Sequence, residues 1–315
     1  MSAREEILRF ECFGGSCLVL VVGDRAAAER ARDTLLGWHE RFSRFLATSE
    51  ISRLNRDPRA TVPVSGVMAQ LALAVRQAGE MTAGLVDGTL LGELERLGYT
   101  HDLAPAPPLP DVLALAPPRR AAARGPHQLW RRIEANQRAG TVTRPPSVSI
   151  DGGGLAKGLF ADLLATELAD HAAFAIGCAG DLTVGGSAAP ERELKVESPF
   201  DGSTLHSFRV TRAAAATSGI GRRCWIGEDG IPRHHLLDPA SGRPAFTGIV
   251  QTSALAPSAL EAEIRAKAAL LSGPAGAPAW LRHGGVVVYD DGRHELFEPP
   301  PTIAARRRAG SLVLS

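Results

Sequence analysis

The stretch SIDGGGLAKGLFADL, Ser149 to Leu163, decides how the rest of the chain is read. Before it, Ser147 to Ile150 alternates polar and apolar residues and reads as the end of a strand. Asp151 and three consecutive glycines follow, and then Leu155, Leu159, Phe160, Leu163 and Leu164 recur at helical spacing. Strand, glycine loop and helix start make an arrangement that holds phosphate. Glycine lets backbone N–H groups come close to an anion, and a helix N-terminus adds partial positive charge. Lys157, just inside the helix, adds a full charge. The loop is not a P-loop, because no GxxxxGK[ST] is present. It is not a dinucleotide fingerprint, because Lys157 stands where the third glycine belongs. Taken alone, it reads equally well as a tight structural turn.

Composition bounds the answer around this loop. At 315 residues the chain buries a sizeable core, as one large domain or two. A net charge of +1 gives no attraction to nucleic acid or to a membrane surface. The four cysteines, Cys12, Cys17, Cys178 and Cys224, form no CxxC pair, which argues against a zinc site or a disulfide framework and for free thiols in a reducing compartment. The N-terminal MSAREEILRF carries acids and no long apolar run, so a signal peptide is not expected. The run Leu18 to Val22 is too short to cross a membrane, and no membrane insertion is expected elsewhere. These features together predict a cytoplasmic protein.

Along the chain, Arg9 to Val22 reads as two strands around Gly14-Gly15-Ser16, and Asp24 to Ser43 as a helix. In Phe42 to Arg56 the second half is a helix capped by Thr48 or Ser49, with Ser52 and Asn55 on a solvated face. Val67 to Thr82 is amphipathic, and Ala83 to Tyr99 is a loop followed by a helix. The Pro/Ala-rich segment at about 104–126 reads as an irregular surface insertion without chemistry. Asp181, between Gly180 and Leu182, is a turn residue or a ligand contact. Strands are expected at Ala173 to Ile176, in a pair around Asp201-Gly202, at Ile249 to Ala254 and in a terminal hairpin of Val286 to Tyr289 with His294 to Phe297. An edge strand is expected from the final SLVLS.

The helix Ser258 to Leu271 carries the most local information. Ser258 and Glu261 form a capping box, and Gly273 supplies the stop. At about 100° per residue, Leu260, Ile264, Ala268 and Leu271 share the buried face, while Glu261 and Arg265 point to water. Lys267 falls in the middle of the apolar face with Glu263 beside it. Two inward charges one turn apart are costly unless they pair or bind something. Of the adjacent His234 and His235, at most one belongs to a given pocket, because neighbours on an extended chain point to opposite sides.

Taken in order, these motifs resemble the ApbE-like flavin transferases, the FAD:protein FMN transferases. Asp151-Gly-Gly-Gly-Leu-Ala-Lys157-Gly158 resembles the family's Asp, small residues and Ile-Ala-Lys-Gly. Ala179-Gly180-Asp181 resembles its Gly-Gly-Asp turn, and Thr217-Ser218-Gly219 its Thr-Ser-Gly. His235 to Pro244 resembles His-x-x-Asp-Pro-x-Thr-Gly-x-Pro, with Ser241 for threonine. Phe42 to Asn55 resembles Phe-Ser-x-Tyr…Ser-x-x-Ser-x-x-Asn, with Phe45 for tyrosine, and Asp87-Gly88-Thr89 resembles Asp-Pro-Thr.

The resemblance implies an α+β fold of the ApbE-like, T-fold-related type, with mixed β-sheets and flanking helices in a single intertwined unit spanning 1–315. It implies binding of FAD, usually with magnesium, and movement of FMN onto a threonine hydroxyl of an acceptor protein with release of AMP. An FAD pyrophosphatase giving FMN and AMP, or a flavin-binding protein without transfer, are the alternatives. His235, Lys157 and Asp238 match the catalytic positions. Phe13, Phe45, Asp87, Gly153, Gly154, Lys157, Asp181, Ser218, His235 and Lys267 match the FAD-binding ones. The metal positions, an Asp and a Thr on the last helix plus a loop carbonyl, correspond to Glu263, Lys267 and Gly154. Glutamate suits magnesium, but lysine has no acceptor and brings its own charge, so Lys267 expels the metal or replaces it.

Overall fold

The computed structural model describes residues 5–299 apart from 102 and 104, together with the strand Arg308–Leu314. Its centre is an eight-stranded sheet whose strands lie side by side in chain order: Glu5–Cys12, Gly15–Val22, Phe174–Cys178, Asp181–Gly185, Ala213–Gly219, Ile249–Ala256, Gly285–Tyr289 and His294–Phe297. Every neighbouring pair in it is antiparallel. Long excursions between neighbouring strands carry everything else. The first holds helices α1 (Arg25–Phe42), α2 (Glu50–Arg56), α3 (Gly66–Thr82), α4 (Leu91–Arg96), α5 (Leu109–Ala114) and α6 (Ala156–Glu167). Helix α7 (Ala259–Gly276) lies between Ile249–Ala256 and Gly285–Tyr289.

The sheet is read from its residues. Phe174–Cys178 and Asp181–Gly185 are buried throughout, as central strands covered on both faces must be. Ala213–Ala216 presents only alanines, and Ala216 and Ala256 meet Ala262 of α7 in one small cluster. Small side chains let the helix lie close on the sheet. Gly158 does the same between helices, because a Cβ there would stand 2.7 Å from the carbonyl oxygen of Ala259. Asp162 of α6 completes the junction by accepting from the N–H groups of Ala259 and Leu260, at 2.7 and 3.0 Å, which caps α7.

The α+β expectation holds, with refinements. The large sheet is antiparallel, and the described parallel pairing is between Arg308–Leu314 and Glu191–Glu197, the edge strand expected of the tail. Ser147–Ile150 is not a sheet strand. Ile150 is held by the Asn55 side chain, which donates to its carbonyl and accepts from its N–H, both at 2.8 Å. Asn55 therefore imitates a neighbouring strand and does not lie on a merely solvated face.

Residues 105–126 are likewise more than a surface insertion. Leu109 and Val112 are buried, and Arg120 and Ala122 donate backbone hydrogen bonds to Phe246 (2.9 Å) and Leu271 (2.8 Å). The segment is a strap across the end of α7. Arg265, expected in water, is buried: its guanidinium bonds Glu261 at 2.7 Å and the Trp280 carbonyl at 3.1 Å, so the aliphatic stem is covered and the charge is paired. Gly273 breaks α7 with φ 67°, before Pro274. No helix among the described residues is long and apolar enough to cross a membrane.

Candidate functional site

The glycine loop sits where the sequence pattern puts it, at the mouth of α6. Asp151 forms an Asx turn by accepting from the Gly153 N–H at 2.9 Å, and its own N–H is held by the Gly88 carbonyl at 2.8 Å. The loop is thereby tied to Asp87-Gly88-Thr89, where the Asp87 carboxylate accepts from the Thr89 N–H at 2.9 Å and from its hydroxyl at 2.5 Å. Helix α6 begins after Leu155 with no capping side chain from that residue; its Ala156 N–H is taken by the Gly152 carbonyl at 2.8 Å and its Gly158 N–H by a carboxylate of α7.

Four charges form the floor of that cleft. The Lys157 Nζ lies 2.9 Å from Asp181 Oδ2 and 3.4 Å from the Ala179 carbonyl. Asp181 reaches it because Ala179 and Gly180 take left-handed turns, φ 46° and 102°, at the tip of the central hairpin. Across the α6–α7 contact, Glu263 accepts from the Gly158 N–H at 3.0 Å and lies 3.7 Å from Lys267 Nζ. The same Nζ donates to the Gly154 carbonyl at 2.8 Å. Burial works to neutralise Lys157, but Asp181 and Glu263 outweigh it and push its pKa up. Burial prevails at Lys267 and pulls its pKa down against Glu263.

His235 faces the same cleft. Its Nδ1 lies 3.4 Å from the Arg223 carbonyl, which favours the Nδ1–H tautomer and leaves Nε2 as an acceptor. Burial first, then the charges of Arg223, His234 and Lys267, hold its pKa well below the ordinary histidine value. Arg223 in turn donates to the Phe13 carbonyl at 3.0 Å, fixing a residue whose φ of 54° an L side chain seldom adopts. The Phe13 ring packs on Phe160 at 5.7 Å and on His39 at 5.2 Å.

The opposite rim is aromatic. The Arg44 guanidinium lies between Phe45 and Tyr99, 4.3 and 4.4 Å from the ring centroids, and donates to the Tyr99 carbonyl at 2.9 Å. Tyr99 stacks on Trp225 with centroids 5.4 Å apart, while Phe45 remains 40% exposed. A second cavity, about 270 Å³, lies under residues 113–119 and holds the Arg119–Asp290 pair at 2.7 Å. It contains none of the motif residues.

The model of the ApbE family matches residues 13–289. This chain belongs to the ApbE family. It is 27% identical over 285 residues to the FAD:protein FMN transferase of Klebsiella pneumoniae (strain 342), covering 86% of this chain and 79% of that protein. It is 23% identical over 238 residues to the FAD:protein FMN transferase of Haemophilus influenzae, 71% of this chain and 66% of that one. Among solved structures, the ApbE protein of Thermotoga maritima superposes with a TM-score of 0.75 at 22% identity, over 94% of this chain and 97% of that one. The flavin transferase ApbE of Vibrio cholerae gives 0.65 at 18% identity, over 93% and 97%.

Within this ApbE chain, the expected residues divide by position. Phe13, Phe45, Asp87, Gly153, Gly154, Lys157, His235 and Lys267 line the cleft. Asp181 and Glu263 stand behind the lysines and do not line it. Two residues are elsewhere. Ser218 is buried in the strand Ala213–Gly219, opposite Thr252. Asp238 spends its oxygens on the Ala123 N–H (2.8 Å), the Ala240 N–H (3.1 Å) and the Ser241 hydroxyl (2.7 Å), so it builds the turn after His235 and holds the strap. Those bonds give Asp238 a positioning part in the turn and the strap. His234 points away, fully buried against Phe246 at 4.7 Å.

Arg44, Tyr99 and Arg223 line the cleft without having been singled out from the sequence. Arg44 lies inside the Phe42–Asn55 motif and Arg223 shortly after Thr217-Ser218-Gly219, whereas Tyr99 carries no motif signal. No group of three or more His, Cys, Asp or Glu side chains suited to a metal occurs among the described residues. The donors expected for magnesium do not fit it either, since the Gly154 carbonyl and Glu263 already face an ammonium.

Proposed function

We propose that this protein is an FAD:protein FMN transferase, moving FMN from FAD to a threonine hydroxyl of an acceptor protein and releasing AMP. The carrying observation is the meeting, in one cleft, of a glycine loop, two lysines and a histidine that burial and neighbouring cations keep neutral. The names of the relatives and the family membership support the same reading.

In this reading the substrate's diphosphate lies over the loop, Lys157 and Lys267. The threonine oxygen attacks the phosphorus of the FMN half, the bond from that phosphorus to the AMP phosphate oxygen breaks, and AMP leaves with the electron pair. The hydroxyl proton goes to Nε2 of His235, which is neutral and ready to accept it. The floor does what phosphoryl transfer mainly needs, positioning and charge neutralisation. Aromatic side chains at the rim offer faces to the flavin ring.

The test is direct. Protein, FAD and a threonine-bearing acceptor are incubated, and the acceptor is weighed by mass spectrometry while nucleotides are separated by chromatography. The expected result is an acceptor heavier by FMN less water, with one AMP per modification. Free FMN with AMP would mean that water is the nucleophile. Unchanged FAD bound to the protein would mean a binder without transfer.

A further inference from the structure

We propose that the Lys267 ammonium is the resident cation of the cleft, so that this chain binds the diphosphate of FAD without a divalent metal. The ligand half of this inference rests on the FAD reading above, and the metal half does not. Lys267 Nζ lies 2.8 Å from the Gly154 carbonyl oxygen and 3.7 Å from Glu263 Oε1, with its side chain 12% exposed and that exposure on the cleft. An ammonium has three protons. The carbonyl takes one and Glu263 draws a second, which leaves one for an oxygen of a ligand. Lys157 is committed differently, with Asp181 at 2.9 Å and the Ala179 carbonyl at 3.4 Å.

Two further features show that the place is built for the lysine. Gly154 has no Cβ, and one added there would stand 2.8 Å from Lys267 Cε, so loop and side chain are shaped together. Glu263 is locked by the Gly158 N–H at 3.0 Å and cannot turn both oxygens to a new ion. A divalent ion would meet two ammonium groups at close range. It would also find fewer free oxygens than the near-octahedral shell that magnesium demands.

The test uses manganese as probe with the full chain. Free Mn2+ is followed by electron paramagnetic resonance with and without FAD, and FAD is titrated by flavin fluorescence in EDTA and in magnesium. The unmodified protein should take up no stoichiometric Mn2+, and its FAD affinity should be the same in both buffers. Lys267→Met should weaken FAD about tenfold or more, since a charge-assisted bond is lost, whereas Lys267→Arg should retain most of the affinity. Gly154→Ala should weaken FAD by displacing the ammonium while leaving Lys267 in the chain. Stoichiometric Mn2+ uptake by the unmodified protein, or loss of FAD affinity in EDTA, overturns the proposal. If the protein binds no FAD in either buffer, it is the FAD reading that fails, and the Mn2+ uptake still decides whether Lys267 occupies the cation's place.

Discussion

On the floor of the cleft, Lys157 of α6 pairs with Asp181 of the central sheet, and Lys267 faces Glu263 one turn away on α7. On the rim, an arginine is pressed between aromatic rings carried by loops. The floor residues come from three separate segments, and each is fixed by a helix or by the central sheet. On the rim Phe45 is exposed while Tyr99 and the Arg44 side chain are largely covered, and the three are held by stacking and by one carbonyl. In the proposed reading, rigid elements place the groups assigned to the phosphates, whereas loops carry the faces assigned to the flavin ring, where sliding costs little. The stability of the molecule and the precision of its chemistry are tied together on the floor and separate on the rim.

The largest expected effect breaks the floor. Gly158→Val puts a side chain where even a Cβ would lie 2.7 Å from the Ala259 carbonyl, a backbone atom that cannot step aside. Parting α6 from α7 should cost on the order of 1–3 kcal/mol or more, read as a lower denaturation midpoint, and should remove transfer with it. On the rim, Phe45→Ala should change stability by no more than about 0.5 kcal/mol. Equal losses from the two variants would erase the distinction between the regions.

The floor was also the more legible region. Glycines, an invading lysine on an apolar helix face and a capping box are local signals, and the loop, Lys157, Glu263 and Lys267 that they mark come together in the fold. The elements were legible for the same reason, because α1, α3, α6 and α7 carry clear helical periodicity. What the pattern hides is contact between distant segments. Asn55 reads as a solvated helix residue until Ile150 is brought beside it. The segment 105–126 reads as an insertion because its role is to bond Phe246, Leu271 and Asp238, none of them near in sequence. Arg265 was assigned to water because its partner carbonyl, on Trp280, belongs to the turn after the helix. On the rim, Arg44, Tyr99 and Trp225 have no common period at all, and only folding stacks them.

A smaller effect separates the two histidines. His235→Asn should lower transfer by ~10²-fold with FAD affinity nearly unchanged. His234→Asn should leave the rate near normal. Because burial and neighbouring cations hold His235 well below the ordinary value, its base form persists in mild acid. Transfer should stay level as pH falls through 6.5 and decline only well below it. His234 is pushed down to about 3 by burial. The folded chain keeps it neutral while the unfolded chain takes up a proton, so stability is full above about pH 6.5 and falls as pH drops toward 3. His234→Asn should remove its share of that slope and spare the rate, whereas His235→Asn should remove its own share and the rate with it. Identical consequences from the two changes would mean that neither histidine has the place assigned to it.

The measurement that tests the two-part cleft most directly compares FAD with its pieces. FMN carries the flavin ring and one phosphate, and ADP carries a diphosphate and no flavin ring. Titrated against the unmodified protein and Phe45→Ala, FAD should bind about tenfold or more tighter than either piece, a difference of about 1.4 kcal/mol. Phe45→Ala should weaken FAD and FMN severalfold and leave ADP unmoved. ADP binding as tightly as FAD, with no response of any ligand to Phe45→Ala, would contradict a cleft whose floor takes the phosphates and whose rim takes the flavin.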